Sequence, residues 1–338
     1  MGAAVKLHRR RPERHTALTD DGWTLALYRY RPVGPPRPAQ SPVFLCHGLG
    51  ANRFNLDAPG KLSLAKWLSE KGFDCWVVEL RGAGKSSRPT RTNALEYDWV
   101  FDDYVDHDIP AALEVVRNLT GAPRVHWVGH SMGGMIAYAY VIRRGGEALR
   151  SLTAIASPSF SKLGHRLLDR AATLRWVTKV LPKAQYEGVA KLSVLVMPAF
   201  RVSFGRLLAN PRNVDSRALM RLVWKAPADL PMSLLAQLAD WYVEGGFWDG
   251  SGRMDYTQFL SKIEVPSLII AGAYDKLTPP ADIKLVYDRL GSSDKKYLLC
   301  GKAMGCVHDY GHIDLVLGNR AEREIWTHIS SWIDTHGG

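Results

Sequence analysis

The chain has 338 residues, which is long enough for one large domain with an insertion or for two domains. Its composition, 46% hydrophobic and 23% charged residues, is ordinary for a soluble globular protein. The formal net charge of +11 is compatible with nucleic acid, with anionic surfaces or with solubility alone. The basic N-terminus lacks the apolar region of a signal peptide and no apolar run is long enough to span a bilayer, so we expect a cytoplasmic protein. Four scattered cysteines exclude a disulfide scaffold, and whether Cys300 and Cys306 pair stays open.

Short apolar runs alternate with helical segments in both the first and the last part of the chain. Residues 1–15 are expected to form a flexible basic arm, followed by a β-hairpin that turns at residues 19–22 and ends at Tyr30. Buried strands are predicted at residues 43–46, 73–80, 125–128, 152–156, 267–271 and 296–300, with helices at 62–68, 102–119, 134–142, after Pro280 and from about Arg320. This order predicts the α/β class: a mostly parallel central sheet with helices on both faces.

The alternation stops between residues 158 and 262. We therefore predict a core formed by residues 1–157 and 263–338 and a helical cap inserted at 158–262. The cap holds 15 lysines and arginines against 8 aspartates and glutamates, and residues 163–181 have the spacing of an amphipathic helix. An apolar and basic cap suits fatty substrates, with a weak contact to anionic lipid surfaces, whereas no motif for specific nucleic-acid binding accompanies the charge.

The pentapeptide Gly129-His130-Ser131-Met132-Gly133 stands between a predicted strand and a predicted helix. Glycines at its two ends would let the strand and the helix pack closely around a sharp turn. Such a turn holds Ser131 in a strained backbone conformation with its hydroxyl exposed, as in the nucleophile elbow G-x-S-x-G. A five-residue match can arise by chance, so its surroundings decide the interpretation.

A serine hydroxyl needs a base to remove its proton and a carboxylate to orient that base. The loops that follow the last two predicted strands supply Asp275 and His312 in the order that the elbow motif requires. His308 is the alternative base, but Gly311 beside His312 allows the close approach that an active-site loop needs. Two further aspartates lie too near His312 along the chain to orient it, Asp309 and Asp314.

The negative charge that develops on the substrate oxygen needs backbone N–H donors. We predict that Met132 supplies one donor and Leu49 the other, with Gly50 as the second choice for the latter position. The candidate substrate-binding residues lie in the two loops and in the cap: His47, Gly48, Gly50, His130, Trp241 and Trp248.

The segment Gly82-Ala83-Gly84-Lys85-Ser86 is similar to the end of a phosphate-binding loop. The full motif requires glycine at position 79, where this chain has Glu79. We therefore interpret the segment as a tight turn between a strand and the next element.

Together these motifs resemble the α/β-hydrolase superfamily over nearly the whole chain. The resemblance rests on His47-Gly48, Arg81-Gly82-x-Gly84-x-Ser86, Gly129-x-Ser131-x-Gly133, Asp275 and Gly311-His312. A narrower resemblance to acid lipases and esterases rests on Asp21-Gly22-Trp23, Phe101-Asp102-Asp103-Tyr104 and Tyr310-Gly311-His312-Ile313-Asp314.

This resemblance implies a serine carboxylic-ester hydrolase that acts on apolar acyl esters, such as lipids, through an acyl-enzyme. Thioesterases, lactonases and acyltransferases use the same three side chains, and a non-catalytic ligand-binding protein on this fold is the remaining alternative. Nothing in the sequence requires a metal or an organic cofactor, and the sequence does not indicate an oligomeric state.

Overall fold

A computed structural model describes residues 11–33, 41–159, 183–184, 206–215, 220 and 223–337. The whole of the predicted amphipathic segment 163–181 and the first ten residues of the predicted arm lie outside these residues. None of the described helices is long and apolar enough to cross a membrane.

The described strands form one large sheet of eight strands in the order β1-β2-β4-β3-β5-β6-β9-β10. The hairpin β1–β2 is antiparallel and β2 pairs antiparallel with β4, whereas every other neighbouring pair is parallel. The strands are β1 (Glu13–Leu18), β2 (Thr24–Tyr30), β3 (Val43–Cys46), β4 (Cys75–Glu79), β5 (Val125–His130), β6 (Leu149–Ile155), β9 (Ser267–Gly272) and β10 (Lys295–Cys300). A separate two-stranded antiparallel pair joins β7 (Lys183–Ala184) and β8 (Leu230–Pro231).

The helices follow the parallel strands in chain order. They are α1 (Leu64–Glu70), α2 (Phe101–Asp103), α3 (Ile109–Thr120), α4 (Met132–Arg144), α5 (Met232–Glu244), α6 (Pro280–Arg289), α7 (Asp314–Leu317) and α8 (Thr327–Thr335). Single π-helical turns lie at Tyr104–Asp108 and Glu322–Trp326, and 3-10 helices lie at Arg53–Asn55, Tyr256–Lys262 and Lys302–Met304.

Consecutive residues of the central strands point to opposite faces of the sheet, and both faces are covered. Phe44, Trp76 and Trp127 belong to one buried cluster, which includes residues of α3 and α4. Their chain neighbours Leu45, Val77 and Val128 belong to a second cluster, which includes residues of α1 and α8. A strand that is buried on both faces has no polar side, which explains its continuous apolar sequence. The predicted fold class is therefore confirmed.

The sequence predicts a kink or a new helix start at Pro110. The structure begins α3 at Ile109, with Pro110 in its first turn, in agreement with a new helix start. The helical path that leads into it is the π-turn Tyr104–Asp108. Because proline has no N–H, the carbonyl of Asp106 loses its partner four residues later. The guanidinium of Arg144 replaces that partner and donates to the Asp106 oxygen at 2.9 Å.

The predicted flexible arm extends too far along the chain. Glu13, Arg14 and His15 belong to β1, where they pair with Arg29, Tyr28 and Leu27. Strand β1 lies at the edge of the sheet and most of its side chains are at least partly exposed. An edge strand of this kind has no clear hydrophobic alternation, so the sequence does not reveal it.

The described parts of the predicted cap pack against the core. Tyr256, Leu260 and Trp241 are fully buried in the cluster that also contains Ile136 of α4. The pair β7–β8 adds a short sheet where only helices and loops were expected. The limits of the cap, 158–262, stay a prediction.

Candidate active site

The predicted nucleophile lies at the turn between β5 and α4. Ser131 has φ 52° and ψ −121°, a left-handed conformation that costs a non-glycine residue of the order of 1–3 kcal/mol. Its N–H donates to the Ile155 oxygen of the neighbouring strand at 2.8 Å, which holds the turn in place.

Two glycines allow the backbone to approach itself so closely at this turn. A Cβ on Gly129 would lie closer than 3.0 Å to the backbone of Gly133, and a Cβ on Gly133 would lie equally close to the carbonyl of Cys46. No side chain therefore fits at either position without moving the backbone. The strained serine is a consequence of strand and helix packing at these glycines.

Asp275 and His312, which the sequence places on separate loops, lie side by side. The Nδ1 atom of His312 is 2.8 Å from Oδ2 of Asp275, and both residues are buried. The other carboxylate oxygen, Oδ1, accepts the N–H groups of Leu277 and Thr278, each at 2.9 Å. Burial acts to raise the pKa of Asp275, but the His312 ring and these hydrogen bonds outweigh it and hold the pKa below its ordinary value. The carboxylate therefore stays ionised and fixes a proton on Nδ1, so that Nε2 is free to act as a base.

Thr278 is a member of this group that the sequence does not identify. Its hydroxyl donates to Asp275 Oδ2 at 2.7 Å and lies 3.1 Å from His312 Nδ1. Thr278 is buried and stands three residues after the aspartate. The Asp-x-x-Thr spacing is a common turn pattern, so only the strand that precedes Asp275 could have suggested a function for it.

His130 connects the loop of the base to the nucleophile turn. The ring of His130 lies 4.8 Å from the ring of His312 between centroids, and its Nε2 is 3.1 Å from the His312 carbonyl oxygen. Within the described part of the chain, the Ser131 hydroxyl makes no hydrogen bond to His312. Catalytic hydrogen bonds are often long before substrate binds, so this spacing is compatible with a nucleophile and its base.

The loop after β3 lies against the nucleophile turn, as the prediction of an oxyanion hole requires. A Cβ on Gly48 would lie 3.2 Å from the Cβ of Ser131. Among the described residues, the N–H groups of Leu49, Gly50 and Met132 have no hydrogen-bond acceptor, and Met132 is the first residue of α4. A helix N-terminus leaves its first N–H groups unpaired and favours negative charge. The geometry thus supports Met132 as one donor, and both Leu49 and Gly50 stay candidates for the second.

Asn55 is a second residue that sequence reasoning missed. Its Oδ1 accepts the Gly48 N–H at 3.0 Å and also lies 3.0 Å from Nδ1 of His130. One buried amide side chain therefore contacts both the loop after β3 (residues 47–50, called the oxyanion loop below) and the residue that precedes Ser131. The two partners are far apart in the sequence, so no local pattern indicates the contact.

The model of the alpha/beta hydrolase fold family matches residues 41–316 of the chain. The chain belongs to this family. It is 27% identical to human lipase member K over 93% of the chain and 85% of that protein. It is also 35% identical to human lysosomal acid lipase/cholesteryl ester hydrolase over 38% of the chain and 35% of that protein. An esterase from Exiguobacterium antarcticum has the same fold, with a TM-score of 0.62 and 18% identity over 95% of the chain and all of the esterase. The predicted superfamily and the lipase-like resemblance are confirmed, and these relatives support the carboxylic-ester hydrolase class.

Two histidines of the α/β hydrolase that we expected to bind substrate have structural partners. Leu80 N–H donates to Nε2 of His47, so the neutral ring carries its proton on Nδ1 and donates to the Gly48 carbonyl at 2.9 Å. Burial lowers the pKa of His47 to about 4 and that of His130 to about 3. His47 and His130 therefore shape the loops around Ser131, and their contact with substrate stays a prediction.

The two tryptophans assigned to substrate binding also have structural partners. Trp241 is fully buried against Phe101, and its indole N–H donates to the Trp248 carbonyl at 2.6 Å. Gln237 donates both to that carbonyl and to Asp102, which pairs with Arg143 near the end of α4. With 1.5 Å per residue, Arg143 lies about 18 Å along the helix from the nucleophile turn. Trp241 is part of the packed core and Trp248 packs against it. Their contact with substrate stays a prediction.

The alternative base and the alternative acids take other positions. Asp309 accepts the Lys302 N–H at 2.7 Å, and Asp314 accepts the Gly311 N–H at 3.0 Å and the amide of Asn213 at 2.7 Å. Both aspartates therefore hold the loop that carries His312. It is His312, not His308, that the structure places beside Asp275.

The tight turn at residues 82–86 encloses a carboxylate from its own chain. Glu79 accepts the N–H of Lys85 at 2.7 Å, and Ser86 donates to the Glu79 carbonyl at 2.5 Å. A Cβ on Gly84 would collide with the Glu79 carboxylate. The side chain of Glu79 thus occupies the space inside the turn, in agreement with its interpretation as a tight turn.

Among the described residues, one cluster has ligand atoms close enough for a metal ion: Asp20, Asp21 and His107. Asp20 already pairs with His107 at 2.5 Å, and Asp21 pairs with Arg81 at 2.7 Å. These carboxylates have partners within the protein, so we assign no metal site to them.

Proposed function

We propose that this α/β hydrolase is a serine carboxylic-ester hydrolase that acts on apolar acyl esters through an acyl-enzyme. The observation that carries the proposal is the pair His312–Asp275, joined at 2.8 Å. The loop of His312 in turn contacts His130, the residue before a strained serine. The similarity of the chain to human lipase member K, a protein whose name indicates a lipase, supports carboxylic esters as the substrate class.

The reaction follows from the positions of these side chains. Nε2 of His312 takes the proton of the Ser131 hydroxyl as its oxygen attacks the acyl carbonyl, and Asp275 stabilises the imidazolium that forms. The Met132 N–H and the N–H of Leu49 or Gly50 stabilise the negative charge on the carbonyl oxygen. His312 then gives its proton to the leaving alcohol. In the second half, His312 removes a proton from water, which attacks the acyl-serine and releases the acid.

The strained backbone distinguishes this proposal from a ligand-binding protein without catalysis. A left-handed serine costs stability, and its hydroxyl makes no hydrogen bond among the described residues that would offset this cost. Strain of this kind persists where a reaction needs it. A binding protein has no comparable need for a serine, a histidine and a carboxylate in this order.

A series of p-nitrophenyl esters with increasing acyl length tests the proposal. We expect hydrolysis that improves from short to medium or long acyl chains, because the sequence of the predicted cap is rich in apolar residues. Ser131→Ala should lower kcat by at least about 10⁴-fold. Ser233→Ala is the matched control, since its hydroxyl donates to the Trp99 carbonyl away from the elbow. Absence of turnover for every ester, or equal activity of Ser131→Ala, would overturn the proposal.

A further inference from the structure

A cavity of about 250 Å³ lies beside the oxyanion loop, between the core and the described part of the cap. The turn at residues 82–88 and the loop at residues 52–54 form its core side, and residues 225–228 form its cap side. Two aromatic side chains, Tyr28 and Phe54, contribute an apolar wall. Neither the proposed mechanism nor the residues that position His312 use this cavity.

The lining of the cavity is strongly cationic. Its described residues include one carboxylate, that of Glu79, and four basic side chains: Arg53, Lys85, Arg88 and Lys225. The Glu79 carboxylate accepts the Lys85 backbone N–H and the Tyr28 hydroxyl, so its own hydrogen bonds are made without the basic side chains. In the described part of the chain, the ammonium groups of Lys85 and Lys225 have no carboxylate partner.

Arg53 forms a fixed part of this lining. Its guanidinium pairs with Asp57 and stacks over the rings of Tyr28 and Phe54, at 4.2 and 4.5 Å from their centroids. A guanidinium held in this way loses little conformational entropy when it binds a ligand, and its planar donors match a carboxylate or a phosphate. From the cap side, the ammonium of Lys225 also lies 5.6 Å from the centre of the Phe54 ring.

The cavity opens at the same end of the sheet as the nucleophile. Glu79 ends β4 and Ser131 follows β5, and β3 lies between these two parallel strands. Two strand spacings correspond to about 10 Å. The cavity also contacts the oxyanion loop through the cap, because the Asn52 amide donates to the Lys225 carbonyl at 2.7 Å and the Ala228 N–H donates to the Gly50 carbonyl at 3.0 Å.

We propose that this cavity binds the anionic group, a carboxylate or a phosphate, of an amphiphilic ester whose carbonyl carbon lies at Ser131. The inference rests on the proposed function for the position of the ester, whereas the binding of the anion rests on the cavity alone. The apolar part of such a substrate spans about 10 Å between the two sites. The preferred substrates are therefore esters with a negative charge at a distance from the reacting carbonyl, rather than uncharged esters of equal length.

Equilibrium binding tests the site without turnover. The Ser131→Ala protein is titrated by calorimetry with decyl phosphate, and with inorganic phosphate as the free anion. We expect saturable binding of decyl phosphate that weakens with salt, and at least tenfold weaker binding by the variant that also carries Lys85→Gln and Lys225→Gln. The control carries Lys61→Gln and Lys296→Gln, which remove the same charge from two exposed lysines outside the cavity lining. Equal loss of affinity in both double variants would overturn the site.

Kinetics test the connection to the substrate. The wild-type chain is compared on two p-nitrophenyl esters of equal length, one with a terminal carboxylate and one with a terminal methyl. We expect Lys85→Gln/Lys225→Gln to raise KM at least tenfold for the anionic ester and to leave kcat and KM unchanged for the neutral one. Phosphate binding without a preference for the anionic ester would show a site for a free anion and overturn the assignment to substrate. If neither ester is hydrolysed, the proposed function fails, while the calorimetric result still decides the anion site.

Discussion

Nε2 of His130 lies 3.1 Å from the backbone oxygen of His312, so the residue before the proposed nucleophile contacts the residue proposed as its base. The other nitrogen of the same ring, Nδ1, lies 3.0 Å from the side-chain oxygen of Asn55. Both partners are acceptors, whereas burial lowers the pKa of His130 to about 3 and keeps the ring neutral with one proton. The neutral ring therefore donates a hydrogen bond to one of these two acceptors, the His312 carbonyl or the Asn55 amide oxygen, and packs against the other. His130 is in this way a positioning residue between two loops of the active site.

Replacement of His130 by Phe should make the position of His312 relative to Ser131 less well defined. The variant keeps an aromatic ring but loses the one hydrogen bond that the neutral ring donates to His312 or Asn55. The buried acceptor that is left without this donor costs of the order of 1–3 kcal/mol. We expect kcat to fall about tenfold or more with little change in KM, measured on p-nitrophenyl butyrate. His126→Phe is the matched control, because His126 is buried in the same strand and bonds to Ser151 away from the site. Equal losses of kcat in both variants would show a packing effect alone.

Thr278→Val should leave the Asp275 carboxylate, which orients His312, with one hydrogen bond fewer. The change is close to isosteric and removes the hydroxyl that donates to Asp275 Oδ2. Loss of one hydrogen bond to a charged group corresponds to about a tenfold decrease in kcat. The control is Thr257→Val, since the Thr257 hydroxyl is also buried and bonds to the Ser159 carbonyl. An unchanged kcat for Thr278→Val would mean that the backbone N–H groups alone hold Asp275.

Gly133→Ala should destabilise the fold far more than a substitution that strains φ alone. A Cβ at Gly133 would collide with the backbone at Cys46, so we expect a loss of about 3 kcal/mol or more in the free energy of unfolding. Gly121→Ala provides the comparison, because Gly121 has φ 70° but open space around a Cβ, and about 1 kcal/mol is expected there. Urea denaturation measures both values. Similar losses for the two variants would contradict the close packing of β5 and α4.

Buried neutral histidines predict a loss of stability in acid. Burial lowers the pKa of His47 to about 4, below the value of about 6.5 in an unfolded chain. The unfolded state therefore binds more protons between these values, so this stabilisation is complete above pH 6.5 and is lost as the pH falls toward 4. Between pH 7 and pH 5, His47 contributes a loss of about 2 kcal/mol. In urea denaturation, His47→Asn should show a pH dependence that is smaller by about this amount, and an equal pH dependence would show that His47 does not titrate on unfolding.

The sequence predicts the catalytic candidates well because their signals are local. Ser131 has a strand, two glycines and a helix around it. Asp275 follows the buried strand β9, and His312 follows β10, an edge strand that is mostly half-buried but has a recognisable apolar sequence. The fold class follows from the same strands, since continuous apolar runs indicate a sheet covered on both faces.

The residues that position these groups could not be predicted in the same way. Asn55 contacts His130 across 75 positions of the chain, and Thr278 has an ordinary turn spacing. The aromatic residues of the cap could not be placed from the sequence, because a hydrophobic sequence does not reveal which surface it covers. Trp241 packs on Phe101 at the far end of α4, where it is fully buried.

The most direct test of the central claim is labelling with a fluorophosphonate probe, with the modified peptide identified by mass spectrometry. The nucleophile is active only if His312 removes its proton, so we expect one label on Ser131 and a labelling rate at least about a thousandfold lower in His312→Ala. His308→Ala should label at the wild-type rate. Label on another residue, or undiminished labelling of His312→Ala, would contradict the assignment of Ser131 as nucleophile and His312 as base.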